Sequence, residues 1–398
     1  MRGGKAPVPP AMVAFLVAVS ACSRTDTPTD AQTTRDSAGV TIVENPAEDV
    51  PLAWGFERVR TLGTAEAGPE GFHGLDSWSL AFDAAGRVFV LDKGNQRVVV
   101  FDGAGAFMAE VGRAGDGPDA FRFPRSIWVS PTGEVEVLDT AHRMIKTFNA
   151  SAGHAGNRSV SPMALGMSGR IEATTRGIAF DGTDGLRASG DSLTGYVAYV
   201  EEADTVRIAR WRRPGTTRVE FAGCRVRYYF EPFFAPEIRW DAAGDLVAVN
   251  SRLGYVVDLF EGGELRRSVR RPLTPRTVTD ADVRSAAEPL TRFRFGGSGG
   301  RVCTKDLDEL VAERGYATRH QLISDVVLGT DGSLWVRRGE DGEPRTDVFD
   351  PVGRYLGTLR EGTPFPIAIS PRGEIVTREL DAFDVEHLVF YRVRERTR

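Results

Sequence analysis

Few residue groupings in this sequence have the types and spacing for chemistry. Five His and three Cys are scattered over 398 residues without zinc-ligand spacing. Gly296-Gly297-Ser298-Gly299-Gly300 has the letters of a nucleophile elbow. That turn needs a strand before it, a helix after it, and His and acidic partners, whereas a glycine run reads as a hinge. Gly112 to Gly117 is glycine-rich but opens no helix of a βαβ unit, so it builds no dinucleotide site. Asp181-Gly182-Thr183-Asp184-Gly185 starts like a calcium loop, lacks the later ligands, and reads as a turn. What remains is a polar set of mixed charge: Asn95, Arg113, Asp116, Arg122, Arg125 and His142. Their loops also carry Glu66, His73, Asp76, Asp92, Lys93, Arg97, Asp139 and Arg143. Guanidinium groups bond carboxylate or phosphate in pairs, so a polar or anionic small molecule suits this set. Asp92 with Arg97, and Asp139 with Arg143, recur in neighbouring segments and read as braces of a turn. Arg113, Arg122 and Arg125 have no basic counterparts among Thr64, His73 and Asp76, which makes them the better ligand candidates.

Positioning these loops falls to a repeat. Residues 80–86 (LAFDAAG) lead to a strand at 88–91, a polar turn at 92–97, a strand at 98–101, and a last strand near 107–111. The same grammar restarts 47 residues later, around Gly133, and related cassettes centre on Gly185, Gly244, Gly332 and Gly373. Short strands rich in β-branched residues, separated by glycine turns at this period, are what four-stranded propeller blades require. Six anchors predict six blades. The interval from Gly244 to Gly332 spans 88 residues and holds an insert at 273–320. Thr279-Asp280-Ala281-Asp282 should start one helix there, and Thr304 followed by 305–314 a second that stops at Gly315. Inter-blade connections lie at one mouth of the central channel, so the insert is expected over that mouth, as a lid or as a plug. The last blade has three strands of its own, so an N-terminal strand, 56–62 or 40–43, should complete it and remove an exposed edge.

The chain resembles the six-bladed β-propellers of the NHL-repeat type. It resembles more closely the bacterial six-bladed propeller lipoproteins of unassigned function, through DSAGVTIVEN (36–45), GRAGDGPDAF (112–121), GSLWV (332–336) and DVEHLVFYRV (384–393). The resemblance implies an all-β six-bladed propeller over residues 39–398. Some six-bladed relatives are calcium-dependent lactonases or lyases that gather Asn, Asp and Glu at the channel. This keeps a second reading, a calcium-dependent hydrolase, beside that of a non-catalytic ligand- or protein-binding module. Only Asn95 and Asn250 of the five Asn can be placed near the mouth.

The N-terminus reads as an address. Arg2 and Lys5 precede an apolar run, Ala11 to Ala21, that is short for a membrane span and ends in small residues, as a signal peptide does. Val19-Ser20-Ala21-Cys22 resembles the bacterial lipobox, which implies a signal peptide at 1–21, acylation of Cys22, and a flexible tether over 22–38. Ser23, where an Asp would retain the protein, points to the outer membrane of the cell envelope, with the lipid as membrane contact and an unknown small molecule or envelope protein as partner. Export would leave Cys224 and Cys303 either bridged or as two buried thiols. With 41% hydrophobic and 26% charged residues the chain can build a core, and its net charge of −5 has the wrong sign for holding nucleic acid.

Overall fold

A computed structural model describes residues 32–63, 71–149, 153–160, 171–175, 177–184, 193–201, 204–224, 228–295, 300–340 and 343–394. The signal segment, Cys22, Ser23, Glu66, Gly185 and most of the Gly296 run lie outside these residues. Six antiparallel sheets make a six-bladed β-propeller. Blade one is Leu80–Phe82, Val88–Asp92, Arg97–Phe101 and Phe107–Val111, and blade two is Pro124–Val129, Val135–Asp139, Met144–Phe148 and His154–Ser159. Blade three begins with Ile171–Thr174 and Gly177–Asp184 and ends with Leu193–Glu201 and Asp204–Arg213. Blades four and five start at Arg239–Ala243 and Ile323–Leu328, and blade six has Ala368–Ile369, Ile375–Leu380 and Glu386–Arg394.

Burial follows position within a blade. Val88–Asp92 is buried along its whole length, because neighbouring blades cover both its faces, while the outer strand Phe107–Val111 is mostly exposed. Apolar clusters form between successive blades around the ring. Val90 and Phe101 of blade one meet Val376 and Phe390 of blade six, and Phe89 and Val100 on blade one's other face meet Ile127 and Val137 of blade two. Further clusters join blades two to three, three to four, four to five and five to six.

Four N-terminal strands, β1 (Thr33–Ser37), β2 (Val40–Glu44), β3 (Pro51–Leu52) and β4 (Gly55–Leu62), precede blade one. β4 is the outer strand of blade six and pairs antiparallel with Glu386–Arg394, from Gly55 opposite Arg394 to Leu62 opposite Leu388. Of the two expected closing segments, 56–62 therefore performs the closure. β2 instead runs parallel to Glu264–Arg270 at the outer edge of blade four, and β3 runs parallel to Tyr355–Leu359 of blade five. β1 pairs with β2, so residues 33–37, expected within the flexible tether, are strand. Between β2 and β3 the strap is held by charge. Asp347, fully buried, receives Arg271 at 2.7 Å, Arg338 at 2.9 Å and the Tyr255 hydroxyl at 2.7 Å, and both arginines reach on to Asp49. Burial works against the Asp49 carboxylate, but bonds from Arg338 and Arg271 outweigh it and hold its pKa below the ordinary value.

The insert carries α1 (Asp280–Ala287) and α2 (Leu307–Arg314). Thr279 and Asp282 form the expected capping box, whereas the cap of α2 is Asp306, two residues beyond Thr304, since its carboxylate accepts from two backbone N–H groups. The insert packs against the connection between blades three and four. Val219, Phe221 and Phe233 share a core with Val283, Ala287 and Leu310, and a Cys224–Cys303 disulfide joins the two segments, with Cα atoms 5.3 Å apart. The two form one lobe.

Deleting residues 40–62 removes β2, β3 and β4 and leaves the edge of Glu386–Arg394 unpaired. The truncated protein is expected to be insoluble on expression, and a soluble truncation with the parent's melting temperature would contradict the closure.

Candidate functional site

Polar residues converge where the inter-blade connections end. Ser77 and Trp78 precede the first strand of blade one, Arg239 and Trp240 begin blade four, and Ser324 and Asp325 lie at the start of blade five. Asp181 to Thr183 end the second strand of blade three, and Trp211 and Arg213 end its fourth. Together with Glu237 they wall a cavity of about 390 Å³ at the mouth of the channel. A deeper cavity of about 190 Å³ is walled by all six innermost strands, through residues such as Leu80, Ile127, Ala173, Ala242, Leu328 and Ala368. None of the described insert residues lines either cavity. The lobe instead encloses a third space of about 340 Å³, between Phe234, Arg314 and His320, which shares Glu237, Arg239 and Ser324 with the mouth cavity.

The walls of the mouth cavity are braced from within. Asp181 is buried and accepts from the Trp240 indole N–H at 2.9 Å. Arg239 pairs with Glu237 at 2.7 Å, and Arg213 pairs with Glu231. Asp325 accepts from the backbone N–H of Val326 at 2.9 Å. Glu237 is further held by Gln321, which accepts from its N–H at 2.8 Å and donates to its carbonyl at 2.7 Å, and also donates to Asn250 at 2.7 Å. Gly195 stands opposite Trp211 in the strand register, and a Cβ there would collide with the indole, so glycine makes the room for that ring. Two cations lie near the Trp78 ring, Lys93 at 5.3 Å and Arg125 at 5.4 Å from its centroid. Burial pulls the Lys93 ammonium below its ordinary pKa, an effect that Asp76 opposes and Arg125 reinforces.

None of Asn95, Arg113, Asp116, Arg122, Arg125 and His142 lines the two channel cavities, although Arg125 reaches the edge through Trp78. Four of them gather at blade two instead. His142 lies between Asp139, at 2.8 Å from Nδ1, and Asp116, at 3.3 Å from Nε2, and Asp116 also faces Arg122 at 3.5 Å. Arg113 is exposed and pairs with Asp119. Asn95 donates to Asp92 at 2.8 Å and so braces its own turn. Asp92 pairs with Arg97 at 3.0 Å as expected, but Asp139 takes His142, not Arg143. Gln96 and Arg143 have matching positive φ values of 55° and 56°, so Arg143 corresponds to Gln96, and His142 to Asn95.

Asp181, one of the mouth residues, escaped sequence reasoning because of a register error in blade three. Ile178-Ala179-Phe180-Asp181 mimics Leu80-Ala81-Phe82-Asp83, which opens blade one, yet it belongs to the second strand of its blade. Gly177, at φ +127°, occupies the turn assigned to Gly185. With that correction Asp181 becomes a mouth residue instead of a turn residue.

Residues 78–162 match a family of proteins described as a 6-bladed beta-propeller. No curated protein matches the sequence. Among solved structures, a Bacteroides fragilis protein described as exported is similar at 14% identity, with a TM-score of 0.52, over 89% of this chain and 100% of that one. A DUF4221 member from Bacteroides vulgatus is similar at 10% identity with a TM-score of 0.45, over 86% and 99%. A Xanthomonas campestris gluconolactonase is similar at 11% identity with a TM-score of 0.32, over 84% and 100%. At these identities the likeness is one of fold.

Asp139 carries a pH prediction. Burial disfavours its charge, but N–H bonds from Arg122 and Phe123 and the contact with His142 outweigh burial and hold the carboxyl below its ordinary pKa. Its ionised form therefore favours the fold above the ordinary carboxylate range, and that contribution is lost as pH falls through the lowered folded value. Asp139→Asn is expected to cost about 1–3 kcal/mol at pH 7. The gap to the parent should shrink below about pH 4. Denaturant melts showing a gap that persists unchanged in acid would contradict this.

Proposed function

We propose that this protein is a lipid-anchored cell-envelope β-propeller, a non-catalytic binding module whose ligand occupies the mouth of the central channel. The observation that carries the reading is the braced wall of the 390 Å³ cavity, a volume at the small end of the range for ligand sites, about 300–1,000 Å³. Asp181, Arg213, Glu237, Arg239 and Asp325 each have a partner inside the protein, so the site is preorganised to hold a ligand and spends little on ordering its side chains.

A calcium-dependent hydrolase would need oxygen ligands gathered around one point. Among the described residues no group of three His, Cys, Asp or Glu side chains is placed to hold a metal ion. The anchor rests on the run ending Val19-Ser20-Ala21-Cys22, and the polar stretch after it supplies reach from the outer membrane to the folded body. The exported description of the B. fragilis structure agrees with that route. Among the described residues no helix is long and apolar enough to cross a membrane.

Two measurements on the full-length protein test this reading. In detergent phase separation the parent should partition with the detergent, and Cys22→Ser should move to the aqueous phase; equal partitioning would remove the lipid anchor. Purified protein should carry no stoichiometric calcium and keep its melting temperature when calcium is added. Stoichiometric calcium with a raised Tm would favour the hydrolase.

A further inference from the structure

Resting on the lipid anchor at Cys22, we infer that the protein lies with its channel mouth turned toward the bilayer, and that Phe383 and Phe123 touch the lipid there. The first observation is where the tether joins the fold. Thr33, which opens β1, stands opposite Glu44 at the end of β2, and Glu44 stands opposite Arg270. Arg270 ends the outer strand of blade four, at the same end of the ring as the inter-blade connections and the mouth. Gln32 is fixed at that end, since its side chain donates to Asn45 at 2.8 Å and the Asn45 N–H donates to the Arg270 carbonyl at 2.8 Å. The ten residues 22–31 reach at most about 35 Å. The opposite face lies the length of the Glu264–Arg270 strand away, about 23 Å, and would take up most of that reach. The short path puts the mouth on the membrane side.

The second observation is what the mouth face exposes. Phe383 at 83% and Phe123 at 57% are the two most exposed large apolar side chains among the described residues. Phe383 occupies the turn between the second and third strands of blade six, and Phe123 ends the connection from blade one to blade two, so both lie on the face where the tether enters. Positive φ aligns the turn of blade six with those of blades one and two, Asp384 at 60° with Gln96 at 55° and Arg143 at 56°. Phe383 therefore stands where blade one has Asn95 and blade two has His142, polar side chains that fold back onto Asp92 and Asp139. A phenyl ring has no such bond to make. The turn beneath it is nonetheless braced, because Asp381 accepts from the backbone N–H groups of Phe383 at 2.8 Å and Val385 at 3.0 Å. Phe123 is set on a braced backbone too, its N–H donating to Asp139 at 3.1 Å and its carbonyl accepting from the Thr140 N–H at 3.1 Å.

A bilayer suits these positions better than a protein partner does. The two rings stand on blades six and two with blade one between them, so they form no continuous apolar patch of the kind a protein covers. Separate apolar tips beside basic side chains are what an interfacial membrane contact uses. Arg122, next to Phe123, and Arg143, in the adjoining turn, are exposed and can meet lipid phosphates, although Arg122 also faces Asp116 at 3.5 Å. Asp384 is exposed beside Phe383, so the phosphate contacts belong to the blade-two side. The lipid anchor supplies the effective concentration, and each ring need add only a weak contact. Tether, Phe123 and Phe383 sit on blades four, two and six, three points around the ring that together fix a plane.

The test uses the full-length lipidated protein on preformed vesicles of phosphatidylethanolamine and phosphatidylglycerol, with or without bromine on the acyl chains, which quenches tryptophan on contact. Phe383→Trp and Phe123→Trp place a probe at each tip. Val352→Trp places one at the opposite end of the ring, in the turn between the third and fourth strands of blade five, where Val352 is also exposed. Each variant is read as its difference from the parent, after a check that Tm is unchanged. The probes at positions 383 and 123 are expected to lose at least half their emission in brominated vesicles, and the probe at 352 none. Quenching at 352 with neither tip quenched would turn the other face to the membrane and overturn the inference. Protein that floats with the vesicles but is quenched at none of the three positions would overturn it as well, leaving the lipid anchor standing and the tips to a protein partner. Parent protein that fails to float with the vesicles would overturn the anchor and this orientation together.

Discussion

The pairing of β4 with the last strand, Glu386–Arg394, is the contact on which the rest of the molecule depends. A radial arrangement of sheets has no edge at its ends only if the first and last parts of the chain meet in one sheet. Leu62 at the end of β4 belongs to the same apolar cluster as Val90 of blade one and Phe390 of blade six, so closing the sheet also seals the interface between first and last blades. The segment that reaches this position crosses blades four and five on the way, as β2 and β3, and is pinned between them by Asp49 on Arg271 and Arg338. Those arginines are buried with Asp347, and in such surroundings a charge left without its partner is expensive, which makes the strap's position well determined.

Closure matters to function because the mouth cavity is assembled from blades one, three, four and five, none of which holds the site alone. Trp78 and Arg239 come from blades one and four, on opposite sides of a ring whose diameter is set by the number of blades. The lobe adds a further wall. Its disulfide and its own apolar core tie the insert to the connection between blades three and four, and the residues it offers the adjoining space stand on that small core. Ligand sites at barrel mouths combine this rigidity with freedom to vary in the loops.

Architecture was far more legible in the sequence than the site. Gly86, Gly133, Gly244, Gly332 and Gly373 all adopt positive φ in the turn after a first strand, and such turns announce themselves because other residues fit them poorly. Phe72 and Phe121, which end the similar stretches GPEGF (68–72) and GPDAF (117–121), are both buried between blades. The site was harder because repetition cuts both ways. Asp92 and Asp139 stood out by recurring, and recurrence marks the bracing of a turn, while Trp211 carries no periodic signal and Asp181 carries one that points to the wrong strand. Blade three hid its first strand, Ile171–Thr174, because the second strand copied the letters expected of the first.

Hydrogen exchange of the intact protein tests the closed ring most directly. If β4 is an integral strand of blade six, those of its amides that bond to Glu386–Arg394 should exchange only slowly, through opening of the whole molecule. Fast exchange in β4 while the inner strands stay protected would show a detachable N-terminal arm on an open ring, and would contradict the account.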